Sequence, residues 1–218
     1  MRPSTFYADN TQPKPMLRGV SHQYGFFISL LLCGYLLSVT PLDKMLPLVA
    51  YCIGFTGMLA SSSSFHRIPW RLETEVWVRR LDYVMISVMI AGCFTPFCAL
   101  AFTSAYSSFV LWTLWGGVGF CIFLNLIWVH SPKVFRTSVY MVLGWIGLPL
   151  VPEMIATCGW TCSLLVGAGG FLHTVGGIIY ARQTPDPLPE IFGYHEIFHL
   201  CVLVASFLHY FAVLVYLV

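Results

Sequence analysis

The chain has 218 residues, of which 58% are apolar, 16% aromatic and 9% charged. An ordinary soluble domain is about 45–50% apolar and about 25% charged, so this chain cannot cover a globule of its size with a hydrated surface, and a water-soluble domain is excluded. Its net charge of +2 is too small to indicate a nucleic-acid partner.

Residues 1–18 are polar and carry Pro3, Pro13 and Pro15, which the apolar segment of a signal peptide would not tolerate; they predict a short disordered tail. Residues 19–218 predict one membrane domain. A helix needs about 20 mostly apolar residues to cross about 30 Å of hydrocarbon. Seven such runs follow, approximately Gly19 to Thr40, Leu46 to Phe65, Leu81 to Phe102, Ser107 to Val129, Phe135 to Ala156, Trp160 to Ala181 and Glu196 to Val218. Continuous runs such as YFAVLVYLV lack the alternation of a barrel strand, so helices are the only spanning structure left. The expected fold is all-α, a polytopic bundle of seven transmembrane helices with short loops. Gly and Pro within the spans, such as Pro96, Gly117, Pro149 and Gly176, read as kinks and close helix contacts. The connector QTPDPLPE, Gln183 to Glu190, is stiff and Pro-rich. All eight cysteines sit inside apolar runs without a C-x-x-C pair and read as buried free thiols, with Cys158 and Cys162 the one plausible local pair.

Placing the N-terminus in the cytoplasm puts every Lys and Arg except Lys44 on the inner side, and an odd number of spans then puts the C-terminus outside. On this topology SSSSFHR ends span two, RRLDYVMIS begins span three and GYHEIFH begins span seven, all on the cytoplasmic side. Ser62, His66, Asp82, His195 and His199 therefore share a depth. Ionisable groups inside a membrane are costly, which makes each a functional candidate. His195 and His199 are spaced i, i+4 and project from one helix face, as two imidazoles on one metal must, and three histidines with an open fourth position suit catalytic Zn²⁺. Asp82 can orient a water, accept its proton or support a histidine; Ser62 can hydrogen-bond the water or a substrate oxygen. The alternative is a set of polar residues that glue helices together. His195-Glu196-Ile197-Phe198-His199 also matches H-E-x-x-H, so Glu196 competes with Asp82 as base. His22 can line the same cavity, whereas His173 and His209 lie deeper and read as hydrogen-bonded packing residues, with lining of a cavity as the alternative.

The segments SSSSFHR, RRLDYVMISVMIAGCFTPF and GYHEIFHLCVLVASFLHYFAVL, in that order, resemble the hemolysin III branch of the progestin and adipoQ receptor (PAQR) family, from VSHQYG at Val20 to the end of the chain. The resemblance implies an intramembrane zinc site with His66, His195 and His199 as ligands, Asp82 as the carboxylate that positions water and Ser62 as a nearby polar group. Some family members carry glutamine at the position of Glu196, which argues against a metalloprotease. The implied location is a multi-pass protein of a plasma or inner membrane, with membrane lipids as its surroundings.

Three functions compete. The first is a zinc-dependent hydrolase of a lipid amide or ester such as a ceramide, entering sideways between helices. The second is a seven-helix receptor or sensor with a structural zinc. The third is a membrane-disrupting protein, for which the sequence offers neither a ring of like charges nor amphipathic strands.

Overall fold

A computed structural model describes residues 14–218, and among the described residues it is helical, with strand-like pairing confined to one bridge between Leu188 and Phe192. The helices are α1 (Val20–Val39), α2 (Met45–Arg67), α3 (Leu72–Pro96), α4 (Ala105–Ile127), α5 (Lys133–Trp145), α6 (Val151–Arg182) and α7 (Tyr194–Leu217). The bundle is therefore all-α and polytopic. Large apolar side chains such as Leu31 and Trp112 point outward, as a lipid-facing surface requires.

By length and apolarity six stretches can cross a membrane, because Lys133–Arg182 forms a single run of 50 residues. At 1.5 Å per residue that run would measure about 75 Å if straight, more than twice the hydrocarbon thickness. Gly159 breaks it, with φ 81° and ψ 174°, a left-handed φ that only glycine adopts at little cost. A Cβ added at Gly177 would lie 3.3 Å from both Met141 Sδ and Thr137 Cγ2. Gly159 is midway in sequence between Met141 and Gly177, so the chain reverses there and the stretch crosses twice. Six apolar stretches thus make the seven crossings expected.

Two span boundaries differ from the sequence expectation. Helix α3 begins at Leu72 rather than Leu81, because LETEVWVRR is helical though too polar to lie in hydrocarbon; Arg79 donates to Glu75 one turn earlier at 3.1 Å. The fifth span is not one helix, since α5 stops at Trp145 and a 3₁₀ turn over Leu148–Leu150 intervenes before α6. Pro149 there has no N–H to continue the ladder. All eight cysteines are free thiols, Cys158 and Cys162 included.

Small residues set the spacing that positions the site. A Cβ at Gly54 would come within 2.9 Å of the Val88 carbonyl oxygen, and one at Gly92 within 3.1 Å of that of Ala50, so α2 and α3 pack nearly backbone to backbone. At the outer end, Glu153 caps the start of α4: its Oε1 accepts from the backbone N–H of Thr103 at 2.9 Å and of Ser104 at 3.0 Å. Lys44 donates to the Leu217 carbonyl at 3.0 Å at the same end. Of the tail expected over residues 1–18, positions 1–13 lie outside the described residues. The remainder is bonded to the loop before α7, through Met16 N to Glu190 O at 2.9 Å and Leu17 N to Ile191 O at 3.1 Å.

Candidate metal centre and the cavity beside it

His66 occupies the last turn of α2, while His195 and His199 occupy the first two turns of α7. One ligand nitrogen from each lies within 4.8 Å of the other two, so the three can hold a metal ion. The ring centroids are 4.8 Å apart for His66 and His195, 5.0 Å for His66 and His199, and 4.6 Å for His195 and His199. Nδ1 of His66 and Nδ1 of His199 are buried without a hydrogen-bond partner among the described residues. An unpaired buried polar atom costs about 1–3 kcal/mol, and two of them within a cluster of three imidazoles fit a cation. The set of three imidazoles suits zinc.

The approach of α1 makes this packing possible. Gly19, with φ 77°, sits so near His66 that an added Cβ would be 2.6 Å from His66 Cβ. His22, one turn on, stacks on His199 with centroids 3.9 Å apart and planes 7° apart. Its Nε2 is 3.1 Å from the His199 carbonyl and its Nδ1 is 2.8 Å from Ser62 Oγ. A carbonyl only accepts, so Nε2 carries the proton, and in the neutral ring Nδ1 accepts the Ser62 hydroxyl hydrogen. Ser62 keeps its lone pairs for a further donor. The sequence suggested that His22 lines the cavity; its grip on Ser62 and His199 was not foreseeable, because it depends on where α1 leans.

Asp82, on α3, is buried and lines the same cavity as the three histidines, yet it is not one of the three converging donors. Ser62, Arg136 and Tyr83 line the cavity together with it. Arg136 is 5% exposed. Its Nη2 donates to the carbonyls of Val129 at 3.1 Å and Ser131 at 2.9 Å, and its guanidinium lies 3.6 Å from the centre of the Tyr83 ring. Nε and Nη1 remain without a partner among the described residues. The sequence reading used Arg136 only to set orientation; an arginine inside the first turn of a predicted span was the signal for more.

Glu196 is not one of the converging donors. Its carboxylate pairs with Arg18 Nε and accepts the Gly193 N–H at 2.8 Å, so it caps α7 and fastens the segment before α1. Its carboxylate is thus engaged by two donors, whereas Asp82 has no such pairing with Arg18 or a helix cap among the described residues. Lys14 Nζ lies 3.3 Å from the His66 carbonyl, where burial lowers the pKa of its ammonium to about 8.

A cavity of about 330 Å³ opens from the histidines and runs past Met89 and Ile90 to Phe97, Leu148 and Met154, near the outer ends of α3 and α5. Its size lies in the range of small-molecule pockets, and its wall beyond Arg136 is mostly aliphatic and aromatic. His173 and His209 also line it, farther from the basic end.

Residues 10–210 match the family model described as Haemolysin-III related. The chain is 32% identical over 178 residues to the Hemolysin-3 homolog of Bacillus subtilis, covering 78% of each. It is 30% identical over 195 residues to Heptahelical transmembrane protein 4 of Arabidopsis thaliana, covering 78% of this chain and 49% of the plant protein. Over 183 residues it is 27% identical to the Adiponectin receptor protein of Drosophila melanogaster, covering 74% of this chain and 40% of the fly protein. The chain thus spans about half or less of the plant and insect relatives, and most of the bacterial one.

Proposed function

The chain belongs to the haemolysin-III related family of integral membrane proteins, and from that premise we propose that it is a zinc-dependent hydrolase of a lipid amide or ester, such as a ceramide. The observation that carries this reading is the convergence of His66, His195 and His199, with two unpaired buried nitrogens, at the head of a largely apolar cavity. A zinc ion held by these three would polarise a carbonyl oxygen and lower the pKa of a bound water from about 15.7 toward about 7.

The chain's own groups supply the rest. Asp82, which lines the same cavity, accepts a hydrogen bond from a water and takes its proton as general base. Ser62, with its hydrogen committed to His22 Nδ1, accepts from that water and fixes its direction. Arg136 offers Nε and Nη1 to the oxygen of the lipid head, and its stacking on Tyr83 holds that fork still. The acyl chain fills the apolar length of the cavity and excludes bulk water from the reacting end.

The test uses purified protein in lipid nanodiscs. One zinc per chain by elemental analysis and release of labelled fatty acid from ceramide are expected, with Asp82→Ala keeping the metal and losing turnover about 10²-fold or more. Turnover unchanged in Asp82→Ala would sink the assignment.

A second reading is a receptor or sensor in which the metal clamps α2 to α7. It is favoured by the fact that the three donors join helices distant in sequence, and relatives include a protein named adiponectin receptor. Metal removal would then lower stability without any turnover to lose.

A further inference from the structure

We infer that His173 and His209 form a second, mid-membrane polar subsite of the cavity that binds the hydroxyl group of an acyl ligand hydroxylated near the middle of its chain. The inference rests on the reading of this cavity as a lipid site and names the kind of chain it selects.

Two observations carry it. First, the two imidazoles both line the cavity and pack against one another, with centroids 5.5 Å apart and planes 45° apart, and no hydrogen bond joins them. His209 is 8% exposed. Its Nε2 is 3.2 Å from the Val166 carbonyl, which fixes the proton on Nε2, so in the neutral ring Nδ1 is left as an acceptor. That Nδ1 is buried without a partner among the described residues, as is Nε2 of His173. A neutral His173 has one N–H to give. One unpaired acceptor and, with the His173 proton on Nε2, one unpaired donor, both buried beside the cavity, match a hydroxyl, whose hydrogen goes to His209 Nδ1 while its oxygen accepts from His173. Neither a plain methylene chain nor a carboxylate, which has no hydrogen to give His209, satisfies both.

Second, the position of His209 is built rather than accidental. A Cβ at Gly169 would lie 2.4 Å from His209 Nε2, so α6 presents bare backbone where the ring enters to reach Val166. The depth also suits a chain anchored at the metal centre. His209 stands ten residues beyond His199 on α7, about 15 Å along the helix. His173 stands seven residues before Tyr180, whose ring lies 5.3 Å from that of His195, which is about 10 Å along α6. A carboxyl or amide head beside His66 would therefore bring the middle of an extended C18 chain alongside the two rings. Among the described residues only His209 Nε2 of their four ring nitrogens has a hydrogen-bond partner, and both rings line the cavity, the alternative to a packing role that the sequence offered.

The experiment measures binding of octadecanoate, 2-hydroxyoctadecanoate and 12-hydroxyoctadecanoate to zinc-loaded protein in nanodiscs. The 12-hydroxy acid is expected to bind about tenfold more tightly than the other two. His209→Phe and His173→Phe should each erase that preference while leaving zinc content unchanged. Equal binding of the three acids, or a preference that survives both variants, overturns the subsite while leaving the lipid reading intact; the pair then holds an ordered water only. Failure of all three acids to bind overturns the lipid reading and the subsite with it. If neither variant folds, the comparison between the 12-hydroxy and 2-hydroxy acids on the wild-type protein still decides.

Discussion

Helix α7 contributes to two histidine clusters, and they differ in kind. At its start His195 and His199 meet His66, so that nitrogens from three rings converge within 4.8 Å. Farther along, His209 meets only His173, and one of its nitrogens is already spent on the Val166 carbonyl. The first cluster has the ligand count of a zinc site, whereas the second leaves two nitrogens unpaired and has no third ligand among the described residues. Burial is common to both. What distinguishes a metal site from a hydrogen-bonding site is how many lone pairs the surrounding backbone leaves uncommitted, and in which direction.

The strongest way to break this comparison is to remove one ring from each cluster. His199→Ala should lower zinc from about one per chain to near zero, since two remaining ligands hold the ion far more weakly, and should cost the protein the stability that bound metal lends it. His209→Phe should leave zinc at parity. Metal loss in both variants, read by elemental analysis, would show that the clusters are one site.

A smaller effect concerns the carboxylate that the H-E-x-x-H motif nominates. Glu196→Ala leaves the Gly193 N–H and the Arg18 guanidinium without their partner and should cost about 1–3 kcal/mol, measured as thermal unfolding in detergent. Zinc should stay bound. If instead metal or turnover vanished while stability held, Glu196 would belong with the histidines and not with the helix cap.

These contrasts also mark how far the sequence could be read. The seven crossings and the basic end were legible because hydropathy and charge are properties of the one-dimensional chain. The convergence of His66 with His195 and His199 was legible because helix ends fix depth, and i, i+4 fixes face. What escaped depends on lateral packing. The stacking of His22 on His199 follows from the lean of α1, allowed by Gly19, and no periodicity encodes it. The commitment of Glu196 to Arg18 needed the segment before α1 to fold back over α7. Gly159 is one of many glycines in the chain, and only its positive φ shows that it turns a run of 50 residues into two spans.

The finest contrast lies between two adjacent glycines of α6. An added Cβ at Gly169 would meet His209 Nε2 at 2.4 Å and Cδ2 at 2.6 Å, whereas at Gly170 it would meet nothing within 4 Å. Gly169→Ala must push the His209 ring away from Val166, which frees Nε2, and overpacking of this kind costs about 1–3 kcal/mol. Gly170→Ala adds a better helix former in open space and should stabilise by about 0.5–1 kcal/mol. Opposite shifts of the unfolding midpoint in the two variants, with zinc content equal in both, would show that the seat of His209 is shaped by the α6 backbone independently of the metal centre. Equal shifts would mean that the ring has room to move, and the second cluster would then lose the fixed acceptor on which its selectivity depends.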